Sequence, residues 1–196
     1  MKHPLFGEKH YYMYMLDGIF DGIVTTLTAG TFFAKLTTSL GVSDTTTAIL
    51  SQAGNVMVAL FLISSFISHS KKAKPLIAGF HLCYQLLIST IYVLPFFVLE
   101  PGVVQTILLV LLLLAKAISF SSINARSGWY ISIMPKEKQS SVFGFSQAIT
   151  NGVLFLVSLL MGVVIDRMEQ SGNLKGAFLV IFFILLAMSA LNFAMY

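Results

Sequence analysis

Six stretches of this chain are each apolar enough, and about long enough, to cross a lipid bilayer: roughly 17–40, 46–68, 75–99, 103–126, 141–165 and 175–196. A span needs about 20 mostly apolar residues, so little of the chain remains for anything but short connections. Only 10% of the residues are charged and mean hydropathy is +0.86, where a soluble domain carries about 25% charged residues. A water-soluble helical fold would lack the polar surface to cover such a core. The expectation is one all-α polytopic integral membrane domain over residues 1–196, with six transmembrane helices.

The sparse charges set an orientation. Lys2 and Lys9 precede the first span, Lys71, Lys72 and Lys74 lie between the second and third, and Arg126, Lys136 and Lys138 lie between the fourth and fifth. The alternate loops hold Arg167 and Lys175, so the division is eight against two. The positive-inside rule then puts both termini and the even-numbered loops in the cytoplasm of a multi-pass cell-membrane protein. The net charge of +4 reflects this topology, and no clustered basic face points to nucleic acid. The lone Cys83 has no internal disulfide partner and reads as inert packing. Asp17 and Asp21 interrupt the first apolar stretch, which argues against a cleavable signal peptide.

Polar residues inside the spans are where function is sought, because an ionisable group in lipid costs several kcal/mol, about 2.5–3.5 on insertion scales. On an unbroken helix, Asp17, Asp21, Thr28 and Lys35 fall within about 40° of one another, flanked by Thr25, Thr31 and Ser39. That stripe reads as the lining of a solute pathway. The plainer alternative leaves Asp17 at the headgroups, Lys35 snorkelling outward and only Asp21 buried. Gly18 and Gly22 beside it suit close helix packing, and Tyr11, Tyr12 and Tyr14 suit an interfacial belt. Ser43 or Asp44 caps the second span, where Gln52 and Asn55, near Gly54, either bind a solute or tie two helices together.

In the third span Pro75 fits the first helical turn, and His81 and Gln85 stand at i, i+4, too few ligands for a metal. His69 reads as a solvated loop residue. Pro95 is expected to bend or end that helix, and Glu100-Pro101-Gly102 to form a tight turn. The fourth span carries Lys116 near mid-membrane, with Asp21 at a depth suited to pairing with it. Arg126, about 15 Å further along, is the competing partner for Asp17 or Asp21, and Trp129 and Tyr130 follow at an expected interface. A short basic loop, Pro135–Lys138, leads to the fifth span. There Gly144, Gln147, Ala148, Asn151, Gly152, Ser158, Gly162 and Asp166 form a small, polar face opposite bulky Ile149, Val153, Leu156, Val157, Leu160 and Val164. Small faces allow close approach of another helix. The sixth span is apolar apart from Ser189 and Asn192 and is expected to face lipid.

Trp129…Ile133-Met134-Pro135, the run Phe143-Gly144-Phe145-Ser146-Gln147, Gly162…Asp166 and the turn Leu40-Gly41-Val42-Ser43-Asp44 are together similar to the N-terminal six-helix half of a major facilitator superfamily transporter. The resemblance covers about Asp17 to Tyr196. It implies a half bundle in which the first and fourth helices line a central cavity while the third and sixth face lipid. It also implies transport of a small solute by alternating access, secondary active and ion-coupled, with no enzymatic step and no cofactor. Asp21 is the candidate proton or cation site and Lys116 its charge partner or a contact for an anionic solute. Thr28, Lys35, Gln52, Asn55, Arg126, Gln147 and Asn151 complete the candidate pathway with Asp17. Two departures stand out. Between the second and third helices the family has a Gly and, four residues later, an acid, where this chain has Ser65 and His69; only the basic character of Lys71 and Lys72 is kept. The chain also supplies one half of a fold usually built from two, which implies a homodimer or a missing C-terminal half as partner.

Two other classes compete. A non-transporting membrane subunit would dock a partner protein through the small face of the fifth helix. A phosphatidyl-alcohol transferase would use Asp17-Gly18-Ile19-Phe20-Asp21-Gly22, but Thr25-Thr26 stands where Ala-Arg is expected and the two later aspartates are missing. Ser127-Gly128 lacks a membrane histidine placed as the base of a serine protease.

Overall fold

The computed structural model describes residues 9–53, 55, 57 and 73–196. Among these every regular element is helical: α1 (Lys9–Leu27), α2 (Gly30–Ser39), α3 (Asp44–Ala53), α4 (Ala73–Ser89) continued by a 3₁₀ segment (Thr90–Phe96), α5 (Pro101–Ile133), α6 (Lys136–Gln170) and α7 (Leu174–Met195). Among the described residues five helical stretches are long and apolar enough to cross a membrane, with α1 and α2 counted as one and α4 joined to its 3₁₀ extension. Apart from Asn55 and Met57, the second apolar stretch beyond Ala53 lies outside the described residues, and so do Lys2, Gly54, Ser65, His69, Lys71 and Lys72.

The first apolar stretch is not one straight helix. α1 ends at Leu27, Ala29 is extended, and Gly30 takes φ +54°, a left-handed conformation that costs a side-chain-bearing residue about 1–2 kcal/mol. The carbonyls freed at such a break need donors, all the more in lipid. The Tyr92 hydroxyl donates to the Leu27 carbonyl, and the Thr28 hydroxyl donates to Val24 at 2.7 Å. α3 starts where expected, with Ser43 accepting from the Thr46 amide at 3.2 Å. Pro95 lies within the 3₁₀ segment that ends this span, and Pro101 occupies the first turn of α5. The basic stretch after Pro135 is already helical, so the fourth and fifth spans are joined by Met134-Pro135 alone. A left-handed Gly172 (φ +74°) and Asn173, which accepts from the Gly176 amide at 3.2 Å, turn α6 into α7.

α1 packs against α6 and α7, and α4 against α5 and α7. Gly18 and Gly22 make the α1–α6 approach close: a Cβ at Gly18 would sit 3.4 Å from the Thr150 hydroxyl, and one at Gly22 only 2.8 Å from the Leu154 side chain. α6 therefore faces the bundle with Val142, Ser146, Thr150, Met161 and Ile165, a stripe between its small and bulky faces. The small face, with Gly144, Gln147, Ala148, Asn151 and Gly152, is exposed, and so are Leu156 and Leu160. The sixth span departs from expectation. It buries Ala177, Phe178, Ile181, Leu185, Ser189 and Asn192, so both of its polar residues point inward and only its other side, with Phe183, Leu191 and Phe193, is exposed. Cys83 is likewise exposed on the outside of α4.

The chain ends sort into two levels. At one, Tyr14 packs on Tyr130 and Phe143 at 5.1 and 4.9 Å, and Trp129 lies between Tyr196 and the Lys74 ammonium, 5.7 and 5.6 Å away. Tyr11, Tyr130, Met134 and Val142 form a small core of their own. Tyr11 and Tyr130 are thus buried in protein, because the long α5 and α6 extend alongside them. At the other level Lys35 meets Asp166 and Glu169.

Candidate functional site

Where α1, α4, α5 and α7 converge, four helices direct polar side chains to one point. Arg126 from α5 donates to Asp21 Oδ2 at 2.8 Å and lies 3.8 Å from Asp17 Oδ2. Its other terminal nitrogen, Nη1, lies 3.2 and 3.3 Å from the two ring nitrogens of His81 on α4. His81 Nε2 is also 2.9 Å from Gln85 Nε2, 3.0 Å from Asn192 Nδ2 and 3.6 Å from Asp21 Oδ1. The Tyr196 hydroxyl donates to Asp17 Oδ1 at 3.1 Å. Asp17, His81, Gln85 and Asn192 are buried.

Asp17, Asp21 and Arg126 of this cluster form one wall of a cleft of about 460 Å³ between α1, α5 and α6. Asp17, Asp21, Thr25 and Thr26 line it from α1, Arg126, Ser127 and Tyr130 from α5, and Phe143, Ser146, Gln147 and Thr150 from α6. With Asp17 and Asp21 ionised, its charged lining is two carboxylates against one guanidinium. Such a wall can bind a polar solute, and its ionisable groups can exchange a proton with water in the cleft.

The residues singled out in the sequence part company here. Asp17, Asp21, Arg126 and Gln147 meet at the cleft. Asn151 is exposed beside it and accepts from Gln147 Nε2 at 2.8 Å. Arg126, not Lys116, is the partner of Asp21. Lys116, on α5, lies instead at a separate cavity of about 70 Å³ shared with Thr25, Thr28 and Tyr84. Lys35 is separated from Asp21 by the break at Gly30 and pairs with α6, so the single stripe expected on a straight helix is two sites. Gln52 and Asn55 are exposed and bonded to each other at 2.7 Å.

His81, Gln85, Asn192 and Tyr196 are four of the seven residues of the cluster and lie outside the expected pathway. His81 and Gln85 stand at i, i+4 on α4, and Asn192 and Tyr196 have the same spacing at the end of α7, one turn apart on a single face, which is the signal that places them. Comparison with protein-family profiles, curated proteins and solved structures finds no match to this chain.

Proposed function

We propose that this chain is a six-span membrane transport protein of major facilitator type, a half bundle that moves a small solute by alternating access. The observation that carries this reading is the cleft, which exposes a buried Asp17–Asp21–Arg126 cluster on a bundle whose outer surface is apolar. Ionisable side chains inside a membrane mark solute and ion pathways by default. The residues at the Tyr14–Tyr130 level include Lys74, Lys136 and Lys138, and this end is assigned to the cytoplasm by the positive-inside rule. The small face of α6 stays open: a Cβ at Gly144, Gly152 or Gly162 would meet nothing within 4 Å. A second six-helix unit in parallel orientation, either another copy or a C-terminal half, closes the cleft across that face. Rocking of one unit on the other then supplies alternating access.

The open face of α6 equally favours a second reading, in which the chain is a subunit that docks an unrelated membrane protein there and transports nothing. Uptake decides. Proteoliposomes holding the chain are energised with a proton gradient and offered sugars, amino acids, carboxylates and organic amines. The transport reading expects accumulation of one class, lost at least about tenfold in Asp21→Asn while the variant still elutes as a folded protein. Unchanged uptake in that variant removes Asp21 from the pathway, and a stoichiometric co-purifying partner without any flux supports the subunit reading.

A further inference from the structure

We infer that a second cleft, at the Lys35 end of the bundle, is the opposite mouth of the path that begins at Asp17, Asp21 and Arg126, and that the Leu154 side chain is the barrier between the two. The inference rests on the transport reading only in calling this a path for solute.

Counting by fours along α6 from Ser146 gives Thr150, Leu154, Ser158, Gly162 and Asp166. Residues so spaced form one ridge of a helix. Five of the six are small or polar, and Leu154 is the exception. At 1.5 Å per residue the ridge runs about 30 Å, which matches the hydrocarbon core of a bilayer. Leu154 lies about 12 Å from the Ser146 end and about 18 Å from the Asp166 end. The facing ridge of α1 has the same spacing, Gly18, Gly22 and Thr26. A Cβ at Gly18 would stand 3.4 Å from the Thr150 hydroxyl, and one at Gly22 2.8 Å from Leu154 Cδ1. The two ridges therefore run side by side in the same direction, four residues to four residues.

Every member of the α6 ridge lines a cleft against the first span. Ser146, Thr150 and Leu154 line the cleft of about 460 Å³ that holds Asp17, Asp21 and Arg126. Ser158, Gly162 and Asp166 line another, of about 540 Å³, which reaches Gly30 and Lys35. Thr26, one turn beyond Gly22, lines both, so the clefts adjoin at the level of Leu154. Here the seam between two small, polar ridges is filled by one isobutyl group, seated on the α1 backbone where Gly22 has no side chain to hold it off. An apolar constriction in a polar path blocks conduction by dewetting. A polar solute moving from one cleft to the other must displace Leu154 from Gly22. That displacement occurs between α1 and α6 of one six-helix unit, and so is a separate step from the rocking of one unit on another.

Cysteine accessibility tests this in the full chain. Cys83 is the only cysteine and is replaced by Ser. Single cysteines are then placed by Thr150→Cys and Ser158→Cys, and a membrane-impermeant methanethiosulfonate is applied to intact cells and to inside-out vesicles. The Lys35 end is the outer one by the positive-inside rule. Ser158→Cys is expected to react from the outer side alone and Thr150→Cys from the cytoplasmic side alone. Adding Leu154→Ala is expected to make Thr150→Cys reactive from both sides. Reaction of Thr150→Cys from both sides with Leu154 in place overturns the inference, as does one-sided reaction that persists in Leu154→Ala. Cysteines unreactive from either side would place the clefts in lipid and overturn it too. Leu185→Ala truncates a fully buried leucine of α7 that lines neither cleft; an equal opening there would mean general loosening and would also overturn it. If Leu154→Ala does not fold, Leu154→Val replaces it, with a smaller gain of outer reactivity expected and no gain counting against the barrier. No solute or gradient is present, so the two readings fail separately. Accessibility controlled by Leu154 without solute flux sinks transport alone, and flux with accessibility indifferent to Leu154 sinks this inference alone.

Discussion

Arg126 and Lys35 each tie the first span to a later helix through two acidic side chains, yet their surroundings differ. Around Arg126 the side chains of the arginine, Asp17 and Asp21 are 17%, 5% and 21% exposed; around Lys35, the lysine, Asp166 and Glu169 are 33%, 66% and 47% exposed. The Arg126 set is embraced by His81 from α4 and by Asn192 and Tyr196 at the end of α7, whereas among the described residues Lys35 is paired with its two carboxylates. Ions withdrawn from solvent lose hydration that their mutual attraction and added hydrogen bonds must restore, so removing one partner is far more damaging than at an exposed pair. In the first arrangement loss of the shared cation leaves buried charge unpaired; the second is a surface contact whose absence the bundle survives.

The largest effect is accordingly expected at Arg126. Arg126→Leu strands two carboxylates and is expected to cost about 3–5 kcal/mol, read as a fall in thermal unfolding temperature in detergent. Adding Asp17→Asn and Asp21→Asn to that variant should restore much of the loss, since a neutral cluster no longer holds unpaired charge. A fall no larger than that of a Lys35 variant would erase the contrast between the two sites.

A second variant tests what separates them. Tyr92 donates to the Leu27 carbonyl at the end of α1, just before the left-handed Gly30 that re-aims α2. Tyr92→Phe keeps the packing against Phe178, 5.8 Å away between ring centres, and leaves that carbonyl without its donor. The expected cost is about 1–3 kcal/mol, with hydrogen exchange accelerating around residues 27–30 while α6 is unaffected. Equal protection in wild type and variant would mean that the break is held by something other than this bond.

The sequence made the ingredients of the inner cluster visible but not its membership. Asp17, Asp21 and Arg126 stand out because charges within apolar runs are few. Choosing Arg126 over Lys116 as partner needed the rotational setting of α5 against α1, which periodicity within one helix does not contain. The expected alignment of Lys35 with Asp21 assumed 3.6 residues per turn through residue 30, and one left-handed glycine ended that phase. The sixth span reads as lipid-facing because it is apolar around most of its circumference; the Ser189–Asn192–Tyr196 face is narrow, and a narrow polar face in a membrane helix marks its buried side. The start of α7 was legible to within a residue, whereas α6 runs about five residues past the expected 141–165 at each end, because its polar end turns are helical.

The smallest effect is expected at the outer pair. Lys35→Gln removes one charge and leaves Asp166 and Glu169 able to turn into water, and exposed ion pairs contribute only about 0–1 kcal/mol. The unfolding temperature should therefore move little, and raising the salt from low to physiological levels should remove most of what difference there is, since exposed charges are screened over about 8 Å at 0.15 M. The same salt step should leave the Arg126→Leu deficit almost unchanged, because its stranded carboxylates are shielded by protein rather than by counterions. A salt-insensitive Lys35 effect comparable with that of Arg126 would show that the α2–α6 end is covered in the membrane by a further layer of protein, and would move the boundary between the two sites outward.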